Sequence, residues 1–170
     1  MESLTTIAEI GIALAGFSGL VVVLRKNTGA LNEIEKYRMS VLLATAFGAM
    51  FLALLPSVLQ QLGFVDELLW RTSSGFLTMF SMAFVLGWVL SSRRFFYVAR
   101  EIFSLPAFSL MALGHLINVG LQLSAALGLW EESSPGVYLF GLIWLLAHAS
   151  QQFVRMLFIQ PRSVDSGIDT

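Results

Sequence analysis

Polar side chains that could carry chemistry recur at helical spacing in two long apolar stretches of the chain. Residues three or four positions apart lie on one face of a helix, so each stretch is predicted to present a polar stripe. The stripes consist of His115, Asn118 and Gln122 in the first stretch, and of His148, Gln151, Gln152 and Arg155 in the second. A polar group in apolar surroundings is costly unless it is hydrogen-bonded or hydrated. Both stripes are therefore expected to face protein or water.

Three kinds of chemistry fit these stripes. Hydrogen bonds between imidazole and amide groups would hold the two helices together. Water between the stripes would make a polar path for an ion or a small solute. Two imidazoles, from His115 and His148, would also suit a b-type haem, with Arg155 near a propionate. Hydrogen bonding is the simplest of the three interpretations, because it needs no further component.

A hairpin between the two stretches would place the stripes side by side. If its turn centres near Ser133, Asn118 comes level with His148, and His115 comes level with Gln151. The two histidines are then offset by about one helical turn. This predicted offset favours hydrogen bonding between imidazole and amide groups over ligation of haem.

Another polar residue, Glu9, lies near the start of a third apolar stretch, residues 4–24. One interpretation is a carboxylate that is hydrated near the membrane surface. The other is a pore mouth or cation site. In a homo-oligomer with this stretch at its axis, copies of Glu9 would form a ring of the kind that cation channels use.

Small residues occupy one face of the same stretch. They are Ala8, Gly11, Ala15, Ser18 and Gly19. Small side chains allow two membrane helices to approach closely. This face is therefore predicted to be a helix-packing seam.

The run from Gly16 to Gly19 reads Gly-Phe-Ser-Gly and resembles the GxSG nucleophile motif of rhomboid intramembrane proteases. Leu146-Ala147-His148 resembles the helix that carries their base. The resemblance implies Ser18 as nucleophile and His148 as base. Here the serine lies on the first apolar stretch, with no His/Asn oxyanion helix before it. Ser18 is also expected about one turn nearer the cytoplasmic side than His148. An intramembrane protease is therefore a remote alternative to a packing role for Ser18.

The composition identifies the elements that must position these residues. The chain has 170 residues, of which 56% are hydrophobic and 12% are charged, whereas soluble domains average about 25% charged residues. It is predicted to be an all-α integral membrane bundle, residues 1–160, followed by a polar tail, 161–170. Its five predicted transmembrane spans are about 4–24, 39–62, 68–91, 106–129 and 137–159, each near the ~20 residues that cross a bilayer.

Charged residues predict the orientation of the spans. Basic residues concentrate in the first and third connections and at the end of the fifth span, whereas acidic pairs occupy the second and fourth connections. The positive-inside rule then places the N-terminus outside and the C-terminus in the cytoplasm. Trp70, Trp88 and Trp130 fall near predicted span ends, where interfacial aromatic residues are expected.

Several function classes are disfavoured by composition. The chain contains no cysteine, which excludes disulfides and thiolate chemistry. The net charge of −1 argues against a nucleic-acid partner. No metal-binding motif occurs, and no acidic pair lies within a span. The protein is therefore predicted not to be an enzyme and to need no metal or cofactor.

The segment AEIGIALAGFSGLVVVLR, residues 8–25, resembles uncharacterised small multi-spanning membrane proteins of bacteria. The resemblance implies the bacterial inner membrane and transfers no activity. Two functions are compatible with these residues. One is a small homo-oligomeric channel or transporter-like protein for an ion or small solute. The other is a non-conducting structural, sensor or accessory subunit, with the lipid bilayer and another membrane subunit as partners.

Overall fold

The described part of the chain is helical and forms five long helices. A computed structural model describes residues 2–25, 33–98, 105–130 and 134–158. The helices are α1 (Glu2–Arg25), α2 (Glu33–Gln61), α3 (Asp66–Val98), α4 (Leu105–Ala126) and α5 (Ser134–Phe158). Each contains a stretch that is long and apolar enough to cross a membrane. The prediction of five apolar spans is confirmed, whereas the predicted tail, 161–170, lies outside the described residues.

Helix α5 is the centre of the arrangement, because it contacts each of the other four helices. Helix α1 packs on α2 and α5, and α4 packs on α3 and α5. Small residues make the closest packing possible on α2, where Ala46, Ala49 and Ala53 are almost completely buried. The polar faces of α4 and α5 therefore lie inside the bundle, with α3 beside them.

Helix α1 approaches α2 closely at Gly11. A Cβ atom added at this position would lie 2.8 Å from the carbonyl oxygen of Ala46 and 3.2 Å from the Cβ of Met50. Ala8, Ala15 and Ser18 are also buried, whereas Gly19 lies on the exposed side of the helix. The packing face of α1 thus includes four of the five residues predicted to form the seam.

Two glycines with positive φ terminate helices at the same end of the bundle. Gly63 (φ 89°) follows α2, and Gly128 (φ 81°) follows α4. After α4, the Gly128 N–H donates to the Ala125 carbonyl and the Leu129 N–H to the Ser124 carbonyl, both at 3.0 Å. This is the Schellman arrangement, which ends a helix at a left-handed residue.

The cap at Gly128 changes the pairing of α4 with α5. Helix α4 ends at Ala126 and α5 begins at Ser134, each three residues earlier than the predicted boundaries of 129 and 137. The turn therefore centres near residue 130 instead of 133. The predicted levels of the polar residues on the two helices are wrong for this reason.

Pro56 lies inside α2 and leaves one backbone acceptor without its helical donor. A proline has no N–H to donate to the carbonyl four residues earlier, which here belongs to Leu52. The buried Tyr138 hydroxyl on α5 donates to that carbonyl at 2.6 Å. A side chain of the central helix thus replaces the missing bond, as membrane helices require where backbone groups face no water.

Candidate functional site

The two histidines of the chain form a direct hydrogen bond in the middle of the bundle. His115 Nε2 and His148 Nδ1 are 2.6 Å apart, and both side chains are completely buried. The predicted pairing of His115 with Gln151 is wrong, since the imidazoles of His115 and His148 meet directly. The two rings therefore belong to one site.

The neighbouring glutamine indicates which nitrogen atoms carry protons. Gln152 Nε2 lies 3.1 Å from His148 Nε2. An amide N–H₂ group donates, so His148 Nε2 accepts and the proton of this neutral ring is on Nδ1. His148 then donates to His115 Nε2, and the His115 proton is on Nδ1. The hydrogen bonds thus run in one direction, from Gln152 through His148 to His115.

Aromatic rings surround the histidine pair. The Phe84 ring centroid is 5.1 Å from that of His115, and the Trp88 centroid is 5.1 Å from that of His148. Trp144 approaches His115 edge-on at 6.1 Å. These rings exclude solvent from the sides of the pair. They form an aromatic cage around the two imidazoles.

Sequence reasoning missed this cage. Trp88 was expected at the membrane interface, yet its side chain is only 6% exposed. The available signal was the four-residue spacing of Phe80, Phe84 and Trp88. On α3 these rings stack in a row, with 6.3 Å between neighbouring centroids.

A pair of buried amides lies next to the histidines. Gln122 Nε2 donates to Val137 O at 2.7 Å and contacts Asn118 Oδ1 at 3.3 Å. The space for both amides comes from Gly141 on α5. A Cβ atom there would lie 2.5 Å from Gln122 Nε2 and 2.7 Å from Asn118 Oδ1.

Helix α3 adds hydroxyl groups to the same interior. Ser74 and Ser81 are completely buried, and they lie on the helix face of Leu77. That face points toward α5, because a Cβ atom on Gly141 would lie 2.8 Å from Leu77 Cδ2. We call a set of seven buried polar side chains on α3, α4 and α5 the polar track. Its members are Ser74, Ser81, His115, Asn118, Gln122, His148 and Gln152.

Several atoms along the polar track have no hydrogen-bond partner among the described residues. They are Ser74 Oγ, Ser81 Oγ, His115 Nδ1, Asn118 Nδ2 and Gln122 Oε1, together with Trp144 Nε1 and Gln151 Oε1 nearby. A buried polar atom without a partner costs about 1–3 kcal/mol. A cluster of such atoms is a place where water or a polar solute would be stabilised.

One end of the polar track opens toward two arginines. Arg38 on α2 and Arg155 on α5 line a small pocket with Gln151 and Gln152. Gln152 links this pocket directly to the histidine pair through its bond to His148. All of the predicted polar residues of α4 and α5 thus belong to the track or to the pocket at its end.

Glu9 is not part of this site. Its side chain is exposed, and within the described residues its helix, α1, contacts α2 and α5 but neither α3 nor α4. The carboxylate therefore lies on the outer side of the bundle within one chain.

Ser18 and His148 have other partners than each other. The Ser18 hydroxyl donates to the Ala15 carbonyl of its own helix at 2.6 Å. Both ring nitrogens of His148 are engaged, with His115 and with Gln152. Activation of a serine requires a base within hydrogen-bond reach of its hydroxyl. The geometry does not provide that base for Ser18.

The histidine pair does not fit a bis-imidazole haem. Such a haem places its iron and its ring system between two imidazole nitrogens. Here the facing nitrogens are in hydrogen-bond contact, 2.6 Å apart, and the aromatic cage closes around them. No group of three or more potential metal ligands of the His, Asp or Glu type occurs within the described ranges.

No model of a protein family matches the chain, and neither a curated protein nor a solved structure matches it.

Proposed function

We propose that the protein is a small membrane channel or transporter-like protein, and that its route is the polar track. The observation that supports this proposal is the set of buried, unpartnered polar atoms along α3, α4 and α5. Helices held together by hydrogen bonds alone would be most stable with these atoms paired, since an unpaired polar group in a bilayer costs several kcal/mol. A route for water and a polar solute gives them partners.

The chemistry of the track favours a small anion or a neutral polar solute. Three of the unpartnered atoms are N–H donors, on His115, Asn118 and Trp144. The serine hydroxyls also donate. Among the described residues no carboxylate is buried, whereas Arg38 is. Donors and positive charge stabilise anions, and pores for anions use arginine in this way.

In this proposal the route is closed when the two histidines are in contact. The imidazoles of His115 and His148 touch across the track, and the aromatic cage fills the space beside them. Opening requires these two rings to separate. Because each imidazole can donate and accept, the pair can exchange its mutual hydrogen bond for bonds to water or solute.

The proposal extends to the setting of the protein. We place it in the inner membrane of a bacterium, with the N-terminus outside and the basic end of α2 and α5 in the cytoplasm. Lys36, Arg38 and Arg155 lie toward that end of their helices, in agreement with the positive-inside rule. We propose a homo-oligomer, for which α1 offers an apolar exposed face at Ile12 and Phe17.

Solute flux from proteoliposomes tests this function. Vesicles containing the purified protein should release chloride or urea faster than protein-free vesicles of the same lipid. A non-conducting structural, sensor or accessory subunit is the second candidate. It is supported by the hydrogen bonds of the track that join α4 to α5, such as Gln122 to Val137. Equal release from both kinds of vesicle would contradict conduction and favour this candidate.

A further inference from the structure

The contact between the two histidines joins atoms that can exchange a proton. His115 Nε2 and His148 Nδ1 are 2.6 Å apart, which is a short hydrogen-bond distance. Each imidazole also has a second nitrogen, so it can take up a proton at one nitrogen and release one from the other. Two such rings in direct contact therefore form a continuous path for a proton.

We propose that His115 and His148 form a proton relay between the pocket at the end of the polar track and the interior beside Trp144. Histidine is the side chain that gains and loses a proton most readily near neutral pH, and histidines inside membranes serve as proton relays. The relay adds the proton to the species that the protein transports. It rests on the proposed function in one respect, because water must reach both ends of the pair.

One end of the pair meets the pocket between α2 and α5. Gln152 lines this pocket and donates to His148 Nε2. The volume of the pocket is about 20 Å³, which is room for about one water molecule. Gln151 Oε1 in the same lining is buried and has no hydrogen-bond partner among the described residues, so it would accept a hydrogen bond from this water. Rotation of the Gln152 side chain would let the water replace its amide at His148 Nε2.

The other end of the pair presents an N–H donor. His115 Nδ1 is buried, and no described residue accepts a hydrogen bond from it. Trp144 Nε1 is a second donor of this kind, and its ring lies edge-on to His115, with 6.1 Å between the ring centroids. Buried water satisfies such unpartnered groups. A water molecule here would receive the proton that leaves His115.

Proton transfer through the pair conserves protons and charge. A hydronium ion in the pocket gives a proton to His148 Nε2 and becomes water. The proton on His148 Nδ1 moves to His115 Nε2, and the proton on His115 Nδ1 passes to the water beside Trp144, which becomes hydronium. Both rings are neutral before and after, with their protons now on Nε2. To restore the first arrangement the rings must separate and exchange protons with water, and this separation also opens the proposed route.

Charged groups at the pocket end prevent the pair from storing a proton. The rings that α3 packs against the pair are uncharged, and α4 has no titratable side chain besides His115 among its described residues. The titratable groups at the pocket end are Glu35, Tyr37 and Arg38 of α2 and Arg155 of α5. The positive charge of Arg155 opposes a positive charge on His148. The pair therefore passes the proton on.

Proton uptake by proteoliposomes tests the relay. The vesicles contain a pH-sensitive dye and potassium gluconate, and valinomycin with an outward potassium gradient makes their interior negative. We expect protons to enter several-fold faster than they enter protein-free vesicles of the same lipid. In His115→Gln the side-chain oxygen can still accept from His148, but an amide does not take up and release protons as an imidazole does. This variant should lose the protein-dependent proton flux.

A control variant and a second measurement keep the test independent of folding. Glu9 is an exposed carboxylate on α1, and Glu9→Gln should keep the proton flux of the wild type. If His115→Gln does not fold, NMR relaxation dispersion of the wild type with isotope-labelled histidine decides. The relay requires each ring to exchange between a proton on Nδ1 and a proton on Nε2.

The outcomes are distinguishable from those of the solute-flux experiment. Proton uptake no faster than in protein-free vesicles, wild-type uptake in His115→Gln, or rings that each keep one fixed proton position overturn the relay. Loss of uptake in Glu9→Gln also overturns it, because the proton would then pass along α1. Release of chloride or urea without proton uptake retains the proposed function and overturns only the relay. Proton uptake without release of either solute retains the relay and contradicts only the proposed conduction of solute.

Discussion

The hydroxyl group of Tyr138 on α5 donates a hydrogen bond to the carbonyl oxygen of Leu52 on α2, at 2.6 Å. This carbonyl lacks its usual helical donor because Pro56 stands four residues later. The bond therefore does two things: it satisfies a buried backbone acceptor, and it joins α2 to the helix that contacts all the others.

This relationship predicts that Tyr138 and Pro56 are energetically coupled. Tyr138→Phe removes the donor and should destabilise the protein by about 1–3 kcal/mol, the cost of an unpaired buried acceptor. In a Pro56→Ala background the helix supplies its own N–H, so the same substitution should cost clearly less. Reversible unfolding in mixed micelles measures the four proteins of this double-mutant cycle. Equal costs in both backgrounds would show that the proline does not create the need for Tyr138.

The close approach of α1 to α2 predicts opposite effects at two glycines of the same helix. Gly11→Ala places a Cβ atom 2.8 Å from the Ala46 carbonyl oxygen. The helices must then separate, at a cost of about 1–3 kcal/mol. Gly16 has open space where a Cβ atom would lie. Gly16→Ala should be neutral or stabilising by up to about 1 kcal/mol, because alanine favours helix. Thermal unfolding of both variants gives the comparison, and equal stabilities would contradict the packing at Gly11.

The hydrogen bond between the histidines predicts a specific pattern of protons. The chain has two histidines, so isotope-labelled histidine reports on this pair alone. Solid-state NMR of the protein in bilayers should show a proton on His148 Nδ1, none on His115 Nε2, and a coupling between these two nitrogens. A contact between water and the His115 Nδ1 proton is also expected, because that atom has no protein partner among the described residues. Two uncoupled imidazoles would contradict the paired geometry.

The amide pair predicts that Gly141 is important for transport. In Gly141→Ala the new Cβ would lie 2.5 Å from Gln122 Nε2 and 2.7 Å from Asn118 Oδ1, so both amides must move. We expect solute flux to fall several-fold, whereas Gly120→Ala should conduct as the wild type does. Gly120 lies on the exposed side of α4 with open space at its Cβ position. Wild-type flux in Gly141→Ala would mean that the amides do not line the route.

The number and type of the helices could be predicted from the sequence, because crossing a bilayer requires about 20 apolar residues and this requirement is local. The polar stripes of α4 and α5 could be predicted for the same reason, from helical spacing. The level of one stripe relative to the other along the bundle could not be predicted. It depends on where α4 ends and α5 begins, and the Schellman cap at Gly128 ends α4 three residues before the predicted boundary.

The aromatic cage was missed for a different reason. A tryptophan near a span end is common at the membrane surface, and sequence alone cannot distinguish that position from a buried one. Trp88 is buried because α3 places it against both histidines. Gly19 shows the reverse error: it shares a helical face with Ala8 and Ala15 by angle, yet it is exposed, and a Cβ atom added there would contact nothing within 4 Å. In both cases, packing between helices determines whether the residue is buried.

The central proposal is that solute passes within each chain, through the polar track. The most direct test of this proposal compares chloride efflux from proteoliposomes that contain the wild type, Asn118→Leu or Glu9→Gln. Asn118 is completely buried with an unpartnered Nδ2 atom, and leucine keeps its approximate volume. The account predicts that Asn118→Leu reduces efflux roughly tenfold, since an ion that loses one polar contact loses about 1–3 kcal/mol. Glu9→Gln should conduct as the wild type does. Wild-type efflux in Asn118→Leu, with loss of efflux in Glu9→Gln, would contradict the account and place the route at an axis formed by α1.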